Sequence, residues 1–376
     1  MERRRDDSAD PWPGPGRRLA SLAEILTPHR ILITGGAGFV GSSLAIRIRK
    51  DLPGATVVAM DNLYRRGSEL TLGRLREYGV RFCYGDVREA ASFPAGPFDL
   101  LIECSAEPSV LAGLSGSPDY LVHTNLLGAY NCLERAKQWQ AAFLFLSTSR
   151  VYPIAALERH PWREEETRFA WTATDSGISP SGVSERLPLA GARSLYGWTK
   201  HAAEQLIEEY RAAFGLKAII NRCGMIAGPW QFGKVDQGVV SLWVQAHLFG
   251  RPLQYIGYGG TGKQVRDVLH VEDLADLIVE QLQDLPRWDG WLGNVSGSVA
   301  NSSSLVELTS LCREVTGRKI PIGSSSENRA ADVRIYIGDC SELHSRTNWR
   351  PRRSLRRIVE DLSGWAFDER HRLESI

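Results

Sequence analysis

Tyr196 and Lys200 stand four residues apart, a spacing that puts a phenol and an ammonium on the same side of one helix. A lysine in that place lowers the phenol pKa and can also bond a nicotinamide ribose. A phenolate so stabilised accepts a hydroxyl proton while hydride leaves the same carbon. Thr148 ends an apolar run upstream of that helix, where its hydroxyl can hold a substrate oxygen in line with Tyr196. A ring packed on a lysine stem has the same spacing and no chemistry, so the reading depends on what precedes it.

What precedes it is Gly35-Gly36-Ala37-Gly38-Phe39-Val40-Gly41, directly after the apolar run His29 to Thr34 and before the helical stretch Ser42 to Lys50. Gly35 can make the tight turn, Gly38 lets a pyrophosphate reach backbone N–H groups at a helix N-terminus, and Gly41 lets helix and strand pack closely. Phe39 and Val40 complete the turn. Asp61 ends the second apolar run, about 20 residues beyond Gly41, where an acid accepts bonds from the adenosine ribose hydroxyls. An acid there repels a ribose phosphate, which favours NAD over NADP. Arg65 and Arg66 follow it and either neutralise such a phosphate, cover the adenine or stay solvated; Asn62 stands between. Asp86 and Val87 follow another apolar run, and Asp86 either bonds the adenine amino group or caps a helix. Ser105 and Ala106 end a further run near the expected pyrophosphate and nicotinamide ribose.

Short apolar runs separated by helix-length segments predict an α/β fold, a doubly wound parallel Rossmann-type sheet with a smaller C-terminal α/β substrate-binding lobe. The ligand site then lies at the carboxyl ends of the strands. Residues 1–26 read as a disordered tail, and 27–220 mainly as the NAD-binding domain, with a long loop or lid at 153–193. Residues 221–365 read mainly as the substrate lobe, with some segments returning to the first domain, and 366–376 as a tail. A formal charge of +1 from 45 basic and 44 acidic residues gives no field to gather nucleic acid or anionic lipid. No run reaches the roughly 18 apolar residues of a membrane span, and the N-terminal segment has no apolar core of a signal peptide. Six cysteines without a CxxC pair or a Cys/His ligand spacing predict no metal and a reduced, cytoplasmic protein.

The glycine turn, Ser147-Thr148-Ser149 and Tyr196-Gly197-Trp198-Thr199-Lys200 give the chain its resemblance to the extended short-chain dehydrogenase/reductase superfamily, in the nucleotide-sugar epimerase and dehydratase branch. The likeness covers nearly all of Arg30 to Trp365. Within that branch, Asp61 to Gly67, Asn221 to Trp230, Gly233 to Gly238 and Gly262 to Asp273 most resemble the CDP-paratose 2-epimerases, also called CDP-tyvelose epimerases. By position the resemblance implies Thr148 as hydroxyl partner, Tyr196 as base and Lys200 as its helper, with Asn125 supporting them indirectly. It also implies Glu107, Thr148, Ser149, Asn221 and Arg222 beside the sugar nucleotide, and Arg266 at its pyrophosphate, for which a planar donor fork is suited. Asp267 and His270 order their segment. Lys234, Asp236 and Gln237 either touch the sugar or cytosine or form a polar hinge. Arg150 either holds a substrate oxygen or phosphate or pairs with Glu164, Glu165 or Glu166.

A sugar 4,6-dehydratase of this branch would carry an acid and a glutamate directly after the threonine, and this chain has Ser149 and Arg150. Without a proton donor there, elimination of water is disfavoured. The resemblance instead implies epimerisation at C2 of a CDP-linked deoxyhexose by transient oxidation, with tightly bound NAD+/NADH and a homodimer through the Tyr196 helix. A sugar-nucleotide 4-epimerase is the closest rival. A dehydrogenase or reductase that consumes coenzyme and a non-enzymatic nucleotide sensor are further readings, and a sensor has no use for Thr148, Tyr196 and Lys200.

Overall fold

The computed structural model describes residues 27–175, 177–233 and 237–374. Its first half alternates strand and helix: β1 (Arg30–Thr34), α1 (Phe39–Asp51), β2 (Thr56–Asp61), α2 (Thr71–Glu77), β3 (Arg81–Tyr84), β4 (Leu100–Glu103), α3 (Asp119–Val122), α4 (Gly128–Trp139) and β5 (Ala142–Thr148). Next come α5 (Ile154–Arg159), the hairpin β6 (Trp162–Glu164) and β7 (Phe169–Trp171), the hairpin β8 (Ile178–Ser179) and β9 (Gly182–Val183), and the long α6 (Leu195–Phe214). Then follow β10 (Ala218–Cys223), β11 (Met225–Ala227), α7 (Val239–Phe249), β12 (Leu253–Ile256), β13 (Val265–His270), α8 (Val271–Gln283), α9 (Leu285–Trp288) and β14 (Trp291–Val295). The chain closes with β15 (Ser302–Ser304), α10 (Leu305–Thr316), β16 (Ile322–Ser325), β17 (Ile335–Tyr336), α11 (Ser341–Arg346), α12 (Leu355–Asp368) and α13 (Arg370–Glu374).

Seven strands form one parallel sheet in the order β14-β10-β5-β4-β1-β2-β3. The strands are apolar on both sides because helices cover both. Ile31, Ile33, Leu44, Leu274 and Ile278 fill the layer under α1 and α8, while Leu32, Leu101, Phe143, Leu133 and Ile207 fill the layer under α4 and α6. Strand order reverses between β1 and β4, so the crevice at their carboxyl ends is the place for a ligand. The expected domain boundary at 220 falls inside β10, and β14 also joins this sheet. Helix α8 returns as well, tied to α1 by Arg47, which reaches Glu272 at 3.3 Å and Asp276 at 2.7 Å.

Two expectations are corrected. The 153–193 segment is a packed element, not a loop: Phe169, Trp171, Ile178, Val183 and Leu187 share an apolar cluster with Val265, Val333 and Ile335. Strands of two or three residues are too short to reveal a period, and four prolines and many charges hide them. The expected tail at 366–376 is helical through Glu374, since α12 buries Trp365 and Ala366 before α13 begins. The expected N-terminal tail lies outside the described residues. No helix among them is long and apolar enough to cross a membrane.

Candidate active site

The glycine turn has the geometry its spacing predicts. Gly35 takes φ +62°, and a Cβ on Gly41 would lie 2.2 Å from the Gly35 carbonyl oxygen, so α1 can start this close only with glycine there. Gly38 heads α1, and no side chain caps it, which leaves the first-turn N–H groups to a phosphate. Asp61 accepts the Ala37 N–H at 3.1 Å and the Leu63 N–H at 2.8 Å, bracing the turn. Burial pushes its carboxyl pKa up and these backbone bonds oppose the rise. The glycine cradle, the bare helix N-terminus and the acid at the end of β2 fit NAD.

The outer cofactor residues are more varied. Asp86 pairs with Arg88 at 2.6 Å and accepts the Asn62 amide at 2.9 Å. Its bonds with Arg88 hold the carboxyl down at about 2, and it accepts the Arg88 N–H within a turn, so it caps no helix. Val87 is core: its side chain is buried against the α4 layer and its carbonyl accepts Asn131 at 2.8 Å. Arg65 reaches away to the Gln237 side chain and the Phe232 carbonyl, joining the cofactor loop to the second lobe, whereas Arg66 is exposed. Ser105 is buried, and Ala106 lines the cleft.

That cleft, a cavity of about 300 Å³, is lined by Phe39, Val40, Ala106, Thr148, Ser149, Arg150, Tyr196 and Lys200. Ser194 caps α6, its Oγ accepting the Gly197 N–H at 3.1 Å, which sets Tyr196 in the first turn. Thr148 Oγ1 accepts the Arg150 N–H at 3.2 Å and lines the cleft together with Tyr196. Burial raises the phenol pKa, and Lys200 first, then the neighbouring Thr148 and Arg150, work against it. The expected lowering by lysine is thus present but smaller than the desolvation of the ring. Lys200 is buried, with Nζ 3.9 Å from the centroid of Phe145 and 3.4 Å from Glu103 Oε2. Asn125, in a wide helical turn before α4, accepts the Glu107 N–H at 2.8 Å and donates to the Glu107 carbonyl at 3.0 Å and to Thr199 Oγ1 at 3.2 Å. It therefore braces α6 between Tyr196 and Lys200.

A larger cavity of about 670 Å³ continues from the cleft into the second lobe, sharing Arg150, Met225, Gln237 and Arg266 with it. Arg266 pairs with Asp332 at 2.5 Å. Arg150 donates to the Ala331 carbonyl at 3.2 Å. The alternative pairing of Arg150 with the glutamates is overturned: Glu164 binds Lys263 at 2.7 Å, Glu165 binds Arg163, and Glu166 is exposed. Asp267 accepts the Gly338 N–H at 2.8 Å, and His270 accepts the Glu272 N–H at 2.9 Å, so both order their segment.

Three expected substrate contacts are corrected. Asn221 is fully buried and exchanges bonds with Gln281 at 2.9 and 3.0 Å while accepting Trp291 Nε1 at 3.0 Å. Arg222 is buried against Glu204 at 2.7 Å. Both belong to β10, a strand covered on both faces, where polar side chains must find partners inside the protein. Glu107 turns its carboxylate onto the Ser109 N–H at 3.1 Å, and Ala106 and Pro108 line the cleft in its place. Lys234 and Asp236 lie outside the described residues. Sequence reasoning missed Glu103 and Asp332; the first could have been found as an acid inside a strand buried on both faces.

A dinucleotide turn at the switch point of a parallel sheet, beside a lysine, a tyrosine and a threonine in one cleft, defines an enzyme of the extended short-chain dehydrogenase/reductase class. Residues 31–287 match the NAD dependent epimerase/dehydratase family, and the chain belongs to that family and works with NAD. Among its relatives, CDP-paratose 2-epimerase of Salmonella typhi is 30% identical over 89% of this chain and 98% of its own length. A dTDP-glucose 4,6-dehydratase of Mycolicibacterium smegmatis is 26% identical, covering 86% and 88%. The X-ray structure of Pal from Bacillus thuringiensis superimposes with a TM-score of 0.73 at 25% identity, covering 90% of this chain and 99% of that one.

Proposed function

We propose that the chain inverts C2 of a CDP-linked deoxyhexose by removing and returning a hydride at that carbon. One observation carries the reading: Thr148, Tyr196 and Lys200 line a single cleft in which Ser149 and Arg150 occupy the two positions where elimination of water would require acids. The kinship with the Salmonella typhi 2-epimerase over nearly the full length of both chains supports the choice of C2 and of a CDP-sugar.

NAD bound at the glycine turn supplies the reversible hydride acceptor. Tyr196 takes the proton of the C2 hydroxyl, and Thr148 Oγ1, which lines the same cleft, keeps the substrate oxygen in line with it. Lys200 stabilises the phenolate. Arg150 and Arg266, shared by the cleft and the larger cavity, bind the diphosphate while the nucleoside end extends toward α7 and α10. The 2-keto sugar then turns over within the cleft, and Tyr196 returns the proton. Net redox is zero, so the coenzyme stays bound. The reading extends to a homodimer through α6, on which Trp198 and Phe214 stand exposed, tested by light scattering after gel filtration.

The test is proton NMR of the pure protein with CDP-, UDP-, GDP- and dTDP-sugars in deuterated water. Inversion at C2 without solvent deuterium at that carbon is the expected result. Deuterium at the inverted carbon replaces hydride return with an enolising mechanism, and inversion at C4 makes the protein a 4-epimerase. Stoichiometric consumption of added coenzyme makes it a dehydrogenase or reductase.

A further inference from the structure

We propose that Glu103 is a positioning residue for the Tyr196 and Lys200 pair, its carboxylate holding the Lys200 ammonium from behind and offsetting part of the charge that Lys200 exerts on the phenol. The inference deepens the function proposed above and rests on it only for the role of Tyr196 as base.

The argument begins with register. Thr34 of β1 is level with Glu103 of β4, and Glu103 is level with Phe145 of β5. Parallel neighbours at one level point to one face, so the three side chains form a row across the end of the sheet, beneath α4 and α6. Lys200 descends from α6 onto that row, over the Phe145 ring and 3.4 Å from Glu103 Oε2. Glu103 is 0% exposed, and its Oε1 and the neighbouring Thr34 Oγ1 have no hydrogen-bond partner among the described residues.

An apolar residue in this row would pack without the cost of burying a half-bonded carboxylate. What the carboxylate adds is charge, placed against the one ammonium that acts on the proton-transferring group. Burial pushes the Glu103 carboxyl pKa up, and Lys200 is the first influence opposing it, so the ionised form depends on that contact. The other titratable groups around the pair are Cys104 after β4, Cys132 on α4 and Cys223 on β10, whose thiols burial keeps neutral, and Arg150 after β5. The carboxylate is thus the negative charge that tempers Lys200.

Ultraviolet difference titration of the NAD-loaded full chain against Tyr196→Phe reads the phenolate without any sugar. Glu103→Gln removes the tempering charge, and the Tyr196 midpoint is expected to fall by about one pH unit. Glu103→Asp withdraws the charge by one methylene and is expected to move the midpoint the same way by less; it carries the test if the glutamine variant does not fold. An unmoved or raised midpoint in the folded variant overturns the proposal. A second readout is thermal. Lys200→Met leaves Glu103 buried without its cation and lowers Tm, and adding Glu103→Gln is expected to regain most of the loss; no regain also overturns the proposal. Neither readout requires turnover, so failure of C2 inversion and failure of this inference remain separate results.

Discussion

Lys200 and Glu204 sit one turn apart on α6, and each meets an opposite charge on the sheet below, yet the two pairs are built to opposite standards. Glu204 takes Arg222 through both carboxylate oxygens, with bonds of 2.7 and 3.0 Å, and also accepts Ser147 Oγ at 2.5 Å. Burial would raise its pKa, but the bonds from His201 and Arg222 keep it below the ordinary carboxylate range. Lys200 and Glu103 touch once, at 3.4 Å, and one carboxylate oxygen has no hydrogen-bond partner among the described residues. A saturated pair can only hold the fold together, whereas an unsaturated one retains bonding capacity for something that arrives later. Lys200 of the unsaturated pair lines the cleft, and neither Glu204 nor Arg222 does.

The comparison can be broken from either side. Tyr196→Phe should lower kcat by about 10²- to 10⁴-fold while leaving the urea midpoint unchanged, because the variant loses only the phenolic oxygen; steady-state kinetics and urea unfolding read both. Arg222→Met should do the reverse. It strands Glu204 without its cation and should remove about 3–5 kcal/mol of stability, with kcat of the folded fraction retained; adding Glu204→Leu should recover part of that loss.

Asp267 sharpens the contrast, since its Oδ2 accepts the Gly338 N–H while Oδ1 has no hydrogen-bond partner among the described residues. Burial pushes its carboxyl from 3.8 up to about 6. A folded-state pKa above the unfolded one means that its stabilising contribution is complete below about pH 4 and is lost as pH rises through 6. Asp267→Asn should therefore gain up to about 3 kcal/mol relative to the native chain between pH 4 and pH 7, measured by urea unfolding at both values. Arg88→Ala, which removes a partly exposed pair with Asp86, should cost under about 1 kcal/mol and marks the small end of the scale.

Local patterns made half of this legible. Gly35, Gly38 and Gly41 act through their immediate chain neighbours, Asp61 through its fixed distance beyond them, and Tyr196 and Lys200 through one helical turn, so spacing alone carries them. The fate of Asn221 and Arg222 depended on what covers β10 from both sides, and neither Gln281 nor Glu204 lies near them in the chain. Arg150 was readable as a cleft residue from its place after Thr148, but its neighbour Asp332 comes from far along the sequence. Glu103 ends an apolar run that reads as an ordinary strand, and only the fold sets Lys200 against it. The packed 153–193 segment was illegible for a different reason: its apolar residues complete a cluster only when Val265, Val333 and Ile335 are supplied by later segments.

Because β10 and β14 complete the main sheet while β11, β13 and β15 build the second one, the polypeptide passes back and forth between the two halves several times. Severing the chain near residue 224 would therefore yield neither a free-standing coenzyme module nor a free-standing sugar module, since β14 of the main sheet lies beyond the cut.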